Sequence, residues 1–315
     1  MRNRYGRELS VAVSIVALGV VLAIVAPGFF SAENLVDMAL ANMPVLLIAL
    51  GMNMVILAGQ IDISVGSVFA VSGIVAGVLS KTGMPVVAAG LGAMAAGAAM
   101  GAVNGALVAW VRIPSIVVTL ATMVALRDGL RWATQGAWVS DLPAGFQWLG
   151  LSQSSYPVLM ATVAVLFGVG AGWSLRNLAA GRAVYAAGSN SEAARLAGIK
   201  TSGVTFTVFT ITGALAGLAA VLNSVRFNQI PTNAGLGLEL KVIAAVVVGG
   251  TAITGGSGSI AGTVLGVILL GAIGPALTFL GISAYWERAL QGAIILAAVV
   301  VEVLRERAEK RVSLA

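Results

Sequence analysis

Long blocks of apolar residues, separated by short polar stretches, run through the whole chain. The blocks from Leu9 to Ala26 and from Val204 to Asn223 contain no charged residue. Each is close to the about 20 residues with which a helix crosses a bilayer. Ten such blocks follow one another, with centres near residues 18, 50, 71, 97, 122, 165, 213, 247, 270 and 296. The pattern predicts an all-α polytopic membrane protein of about ten transmembrane helices, with one transmembrane domain over residues 1–315.

The composition indicates a membrane protein whose helices pack closely. Hydrophobic residues make up 59% of the chain and charged residues 10%, whereas about 25% of the residues of a soluble domain are charged. The 40 glycines favour helices that approach one another through small residues. We expect helix contacts at five glycine pairs with four-residue spacing: Gly73 with Gly77, Gly97 with Gly101, Gly101 with Gly105, Gly213 with Gly217, and Gly262 with Gly266.

Several kinds of chemistry are excluded by residues that the chain lacks. It contains no Cys and no His, so disulfides, thiolate nucleophiles and imidazole-based zinc sites are unavailable. A P-loop needs Gly before its Lys, but the lysines here follow Ser, Ile, Leu and Glu. The acidic residues stand singly, unlike the carboxylate clusters of membrane enzymes. We therefore predict no enzyme, no catalytic residue, no metal site and no cofactor bound by this chain.

The distribution of Lys and Arg predicts the orientation in the membrane. If the N-terminus is cytoplasmic, 12 of the 18 Lys and Arg residues fall in cytoplasmic segments, as the positive-inside rule requires. Both termini are then cytoplasmic. The net charge of +6 is mostly this orientation signal, since the chain has no soluble basic face that would bind a nucleic acid.

Only two connections between the predicted spans are long. Residues 175–202 form a cytoplasmic loop in which residues 188–190 favour a turn and residues 191–197 favour a short helix. Asn190 or Ser191 can cap this helix, and the glycine that follows it can end it. The loop is either an ordinary solvated connector or a rigid element projecting into the cytoplasm. The other long connection, residues 131–156, is an outside loop with aromatic residues typical of a membrane interface, Trp132, Trp138, Trp148 and Tyr156.

Two polar, glycine-containing segments interrupt the apolar pattern, GQIDISVGS at residues 59–67 and GGTAITGGSGS at residues 249–259. Asp62 would cost roughly 2.5 to 3.5 kcal/mol at the bilayer centre. It therefore either faces protein or water at depth or lies in a tight turn at the cytoplasmic interface. Paired interruptions in two halves point to broken helices around a substrate path. The alternative is that glycine and serine simply mark places where helices turn back sharply.

Polar residues and glycines within or beside the apolar runs are candidates for a translocation pathway or its hinges. Each polar side chain either lines the pathway or bonds across helices, which stabilises a membrane protein by about 0.6 kcal/mol on average. The candidates are Asn53, Gln60, Asp62, Ser64, Gly66, Asn104, Thr119, Thr122, Asn223, Gly255 and Gly256.

Three segments carry a family resemblance: GQIDISVGS at residues 59–67, RAVYAAGSNSEAARLAGI at residues 182–199, and VVVGGTAITGGSGSIAGTVLG at residues 246–266. They resemble the signatures of ribose-type ABC importer permeases, and the resemblance covers nearly the whole chain in order and spacing. That family includes permeases for arabinose, xylose, rhamnose and galactose-like sugars, for nucleosides and for the signal autoinducer-2. The resemblance implies a multi-pass permease of the bacterial inner membrane that translocates a monosaccharide or a sugar-like solute.

The resemblance also implies partners. Family members pair with a second copy or a sister permease, receive solute from a periplasmic binding protein, and rest on two cytoplasmic ATPase subunits, which bind ATP and Mg. Coupling to the ATPase is a role that the resemblance gives to the cytoplasmic loop, at Gly188, Ser189, Asn190, Glu192, Ala193, Ala194, Arg195, Leu196, Ala197 and Gly198.

One position departs from the family pattern. The first signature usually reads Gly-Gly-Ile-Asp, and Gln60 replaces the second glycine here, which alters substrate choice or merely stiffens the turn. An ion-coupled secondary transporter is the alternative function. It needs an ionisable site at the bilayer midplane, for which Asp62 is the one plausible acid.

Overall fold

The computed structural model describes residues 6–283, 285–294, 296, 297 and 300. Helices dominate these residues, and every predicted span centre from residue 18 to residue 270 falls inside a helix. The tenth predicted span is helical at residues 286–294 and lies partly outside the described residues, as do both chain ends predicted to be cytoplasmic. The helices are α1 Gly6–Val25, α2 Ala32–Leu57, α3 Val65–Lys81, α4 Val86–Ala109, α5 Ser115–Thr134, α6 Tyr156–Asn177, α7 Ala179–Ser189, α8 Ser191–Leu196, α9 Thr201–Ser224, α10 Leu238–Val248 and α11 Ile260–Phe279.

Six of the described helices, α1, α2, α4, α6, α9 and α11, are long and apolar enough to cross a membrane. Helix α3 is a shorter apolar helix of 17 residues. Helix α5 has 20 residues but carries Arg127, Asp128 and Arg131. The described part of the chain is thus that of an all-α membrane protein, as the sequence predicts.

Helix α10 differs from the full span predicted around residue 247. It has 11 residues, which at about 1.5 Å per residue extend over only about 16 Å. Gly237, with φ of +82°, begins the helix, and Gly249 follows its last turn. Residues 228–237 reach its start without forming a helix. The apolar run there is therefore a half-length helix preceded by irregular chain.

Connections between the helices gather at two opposite ends. At the first end, which we name the α8 face, Gly256 N donates to Leu57 O at 2.9 Å and Ile61 N donates to Ser115 Oγ at 3.3 Å. At the second end, which we name the tryptophan face, Val139 and Ile230 exchange two backbone hydrogen bonds. The α8 face comprises residues 58–64, 110–114, 178–200 and 249–259, and the tryptophan face comprises residues 26–31, 82–85, 135–155 and 225–230.

Glycines set the closest helix contact, between α4 and α9. A Cβ at Gly213 would overlap the carbonyl oxygen of Gly97 and lie 3.0 Å from Gly101 Cα. A Cβ at Gly217 would lie 2.7 Å from Ala93 O. Only glycine permits backbones to approach this closely, so the predicted packing role of these pairs is confirmed.

Candidate functional site

Helix α8 has defined caps at both ends. The Asn190 side chain accepts hydrogen bonds from Glu192 N at 3.1 Å and Ala193 N at 2.9 Å. At the other end, Ile199 N donates to Ala194 O at 3.0 Å across Gly198, whose φ is +87°. These are the bonds of an N-cap and of a glycine-terminated C-cap. The predicted short helix and both of its caps are confirmed, with Asn190 rather than Ser191 as the N-cap.

The outer side of α8 is open to solvent. Glu192 and Arg195 form an ion pair at 3.8 Å with side chains 77% and 66% exposed. Leu196 is 81% exposed although it is a large apolar residue. Ala194 is buried and holds the inner side of the helix against the protein. The helix thus presents one acidic, one basic and one apolar side chain outward from a fixed backbone.

Helix α7 lies immediately before α8 and differs from the predicted turn. Gly188 and Ser189 belong to its last helical turn, and Asn190 alone separates α7 from α8. The helix packs through Gly181, Val184 and Ala187, which are buried. Since one residue joins two regular helices, α8 is connected to the membrane core by a short and ordered element.

The end of α7 meets both glycine-rich interruptions. A Cβ at Gly188 would overlap Leu57 O and lie 2.8 Å from Gly256 N. A Cβ at Gly255 would lie 2.8 Å from the Cα of Gly59. We name this meeting point, formed by residues 57–59, 188–189 and 255–256, the glycine junction. The three segments that the sequence singles out are therefore in direct backbone contact.

Further bonds tie the turn of residues 249–259 to other elements. Tyr185 Oη on α7 donates to Gly258 O at 3.0 Å. The Ser259 hydroxyl donates to the Glu8 carboxylate at the start of α1. Gly255 and Gly256 have φ of +90° and +70°, a region that glycine adopts without strain. A displacement of α8 would thus reach α2, α10 and α11 through backbone contacts with little free space.

A buried polar cluster follows the first interruption. Ser64 Oγ donates to Asp62 Oδ1 at 2.6 Å, and Ser64 N donates to the same oxygen at 2.9 Å. Asn104 Nδ2 on α4 donates to Ser64 Oγ at 2.8 Å. All three side chains are fully buried. Asp62 therefore faces protein, which fixes the turn between α2 and α3 against α4.

A second buried cluster holds the second interruption. Asn53 Nδ2 on α2 donates to Thr251 Oγ1 at 2.7 Å and to Thr263 Oγ1 at 2.8 Å. All three residues are buried. Asn53 therefore joins the middle of the chain's core helix to the turn before α11 and to α11 itself.

The remaining candidates from the sequence are placed differently. Thr119 donates to Ser115 O at 2.8 Å and Thr122 to Val118 O at 3.1 Å, so both hydroxyls bond within α5. Gln60 and Asn223 are half-buried. Gly66 follows the Asp62 turn and packs against Gly235 and Glu239. The structure thus brings together Gly188, Ser189, Gly255 and Gly256, whereas the α5 threonines and Asn223 lie outside the glycine junction.

Sequence reasoning missed Tyr185, Thr251 and Thr263 as partners at this site. Tyr185 is the one aromatic residue of the alanine-rich α7, and that contrast was the available signal. Thr251 and Thr263 give no local signal, because their role depends on Asn53, about 200 residues away in the sequence.

Comparisons with known proteins identify relatives over most of the chain. Residues 34–299 match the family described as branched-chain amino acid transport system / permease component. The chain is 34% identical over 305 residues to the autoinducer 2 import system permease protein LsrC of Yersinia pseudotuberculosis (serotype O:1b, strain IP 31758), covering 95% of this chain and 85% of the relative. It is 36% identical over 300 residues to the ribose import permease protein RbsC of Escherichia coli (strain K12), covering 92% of each. No solved structure matches it significantly.

Proposed function

The chain belongs to the family of branched-chain amino acid transport system permease components, and we propose that it is the membrane-spanning subunit of an ATP-driven importer for a monosaccharide or sugar-like solute. It is a multi-pass protein of the inner membrane. Relatives named for ribose and for autoinducer 2 support a solute of the ribose, rhamnose or autoinducer-2 type.

The observation that carries the proposal is the glycine junction. An exposed, capped helix is joined by a single residue to α7, and the last turn of α7 touches both glycine-rich interruptions. In the proposed mechanism α8 docks on a cytoplasmic ATPase subunit, with Glu192, Arg195 and Leu196 as its contacts. Closure of the ATPase then moves α2 and the turn of residues 249–259 through the glycine junction.

We place the α8 face in the cytoplasm and the tryptophan face in the periplasm, with about ten spans and both termini cytoplasmic. Each connection alternates between the two faces along the described chain, which supports this arrangement. The tryptophan face then receives a periplasmic binding protein. A second permease copy or a sister permease completes the pathway, and ATP and Mg bind to the ATPase subunits rather than to this chain.

Two kinds of role follow for the candidate pathway residues. Gly255, Gly256, Asn53, Asp62 and Ser64 act as hinge residues, because they hold the two interruptions in place by buried bonds or close backbone contacts. In the same proposal, Gln60, Gly66, Asn104, Thr119, Thr122 and Asn223 line the pathway or support its walls. The relatives do not favour the alternative of an ion-coupled secondary transporter.

Uptake in proteoliposomes tests the function. The chain is reconstituted with the ATPase and binding-protein genes adjacent to its own, and radiolabelled ribose uptake is followed with ATP on the cytoplasmic side. We expect uptake that needs hydrolysable ATP and persists when ionophores collapse the proton and sodium gradients. Uptake that follows an ion gradient and ignores ATP would contradict the proposed function.

A further inference from the structure

The N-terminus of α10 lies at bilayer depth. The last turn of α10 reaches the α8 face, where a Cβ at Gly249 would lie 2.5 Å or less from the backbone of Gly262 in the first turn of α11. The start of α10 is about 16 Å further in, roughly half of the about 30 Å hydrocarbon core. There Glu239 packs on Gly66, 15 residues before Lys81 at the tryptophan face.

Four ionisable residues gather around this buried helix start, and we name them the midplane group: Arg127, Glu239, Lys241 and Glu287. Arg127 is 8% exposed, donates to Ala234 O at 2.7 Å and interacts electrostatically with Glu239. Lys241 Nζ lies 3.5 Å from Glu287 Oε1. Arg288 reaches the edge of the group beside Gly237 and is exposed.

The midplane group retains unused hydrogen-bonding capacity. Glu239 Oε2 is enclosed and has no hydrogen-bond partner among the described residues. Gln291 donates to Glu287 Oε1 at 2.9 Å, and that oxygen is shared with Lys241 at a long distance. A buried carboxylate oxygen without a donor is costly, so a donor supplied by a bound solute would be stabilised there.

The group cannot face lipid. The Lys241 and Glu287 side chains are 22% and 27% exposed, and an exposed charge at bilayer depth is strongly unfavourable in hydrocarbon. The exposed large residues on the flanks of α1 and α6 are, by contrast, apolar along the helices, among them Val13, Val16, Val165 and Val169. Lipid therefore fits the α1 and α6 flanks, and water fits the flank that bears the midplane group.

We propose that the midplane group is a binding station for hydroxyl groups of a neutral polyhydroxylated solute. The Glu239 and Glu287 carboxylates accept hydrogen bonds from the solute hydroxyls, and Arg127 and Lys241 donate to the hydroxyl oxygens. The station deepens the proposed function and rests on it, since it gives the imported solute a stopping point within the permease.

Charge balance selects a neutral solute. The two basic and two acidic side chains of the group offset one another, so neither an anion nor a cation gains net attraction from it. A hydroxyl group can donate to a carboxylate and accept from a cation at the same time. It can therefore enter between the members of a loose pair such as Lys241 and Glu287 without leaving either charge unpartnered.

Saturation-transfer NMR on the purified full chain in a sugar-free detergent tests the station. The probes are ribose and 2-deoxyribose, titrated without partner subunits. We expect saturation transfer to ribose, and about tenfold weaker binding for Glu239→Gln, as loss of a hydrogen bond to a charged group implies. Lys241→Met provides a second variant with the same expectation, in case Glu239→Gln does not fold.

The control is Asp128→Asn, which alters an exposed acid on α5 paired with Arg131 at 3.6 Å. It should bind ribose as the unaltered chain does. A station that reads hydroxyls also predicts a changed ratio of ribose to 2-deoxyribose binding in Glu239→Gln. Equal ribose binding in both variants and the unaltered chain, or no transfer to ribose at all, would overturn the station. Because no ATPase takes part, this result is independent of ATP-driven uptake, which tests the proposed function separately.

Discussion

Gly188 illustrates how one residue can be fixed by its surroundings. A Cβ there would overlap the backbone oxygen of Leu57, which cannot rotate away. We expect Gly188→Ala to lower the free energy of unfolding by about 1–3 kcal/mol and to reduce ATP-driven uptake, as measured by thermal unfolding and proteoliposome transport. Gly168→Ala in α6 is the matched control, since a Cβ at Gly168 meets nothing within 4 Å. Equal uptake by both variants would contradict the role of the glycine junction.

Asn53 supports the second interruption through two side-chain bonds. Asn53→Ala removes its bonds to Thr251 and Thr263, and we expect a loss of about 1 kcal/mol in unfolding free energy, since such bonds average about 0.6 kcal/mol each. A hinge role predicts a lower maximal rate of uptake with little change in KM. Thr162→Ala is the control, because that hydroxyl bonds within its own exposed helix surface. A raised KM with an unchanged rate would instead make Asn53 a solute contact.

These residues also show what the sequence can predict. A polar Asn in an apolar run is visible in the sequence, and so is its cost in the membrane. Its partners are not visible, because Thr251 and Thr263 come near Asn53 only once α2, α10 and α11 have packed. The choice between pathway contact and helix-to-helix bond therefore needs the tertiary structure.

At the scale of elements, α8 is an exposed helix whose ion pair contributes little to folding. Exposed pairs of this spacing stabilise a helix by about 0.2–0.5 kcal/mol. We therefore expect Glu192→Arg and Arg195→Glu each to leave folding intact but to lower uptake about tenfold or more, as reversed charges at an interface do. The measurement is ATP-driven uptake at equal amounts of inserted permease.

The double variant with both charges exchanged separates docking from helix stability. It restores an opposite-charge pair within α8 but presents the reversed pattern to a partner. A docking role predicts that uptake stays low, with Arg112→Glu, an exposed residue elsewhere on the α8 face, as the unaffected control. Full recovery of uptake in the exchanged variant would show that the pair acts only within the helix.

Local signals served well for α8 and poorly for α10. Capping by Asn190 and termination by Gly198 are local chemistry, so the sequence predicted both ends of α8. The start of α10 depends on Gly235 and Gly237 and on the packing of Gly235 against Gly66. Hydropathy registers the apolar residues there but not the irregular chain that precedes them, and it therefore predicted a full span.

At the scale of the whole molecule, the two faces should lie on opposite sides of the membrane. The chain has no cysteine, so a single introduced cysteine reports its own location. We expect a membrane-impermeant maleimide to label Ala137→Cys in intact spheroplasts and to label Ala193→Cys only after the membrane is opened. Both positions are exposed in the structure. Labelling of Ala193→Cys in intact spheroplasts would reverse the proposed orientation.

The central claim is that α8 joins this permease to an ATPase. The most direct measurement is quantitative mass spectrometry of the proteins that co-purify with the full chain from native membranes in mild detergent, compared with a chain lacking residues 189–198 and with Leu196→Asp. We predict a stoichiometric ATP-binding subunit that is lost from both variants while the permease remains inserted. Undiminished ATPase in both variants, or a chain recovered alone that transports without ATP, would contradict the claim.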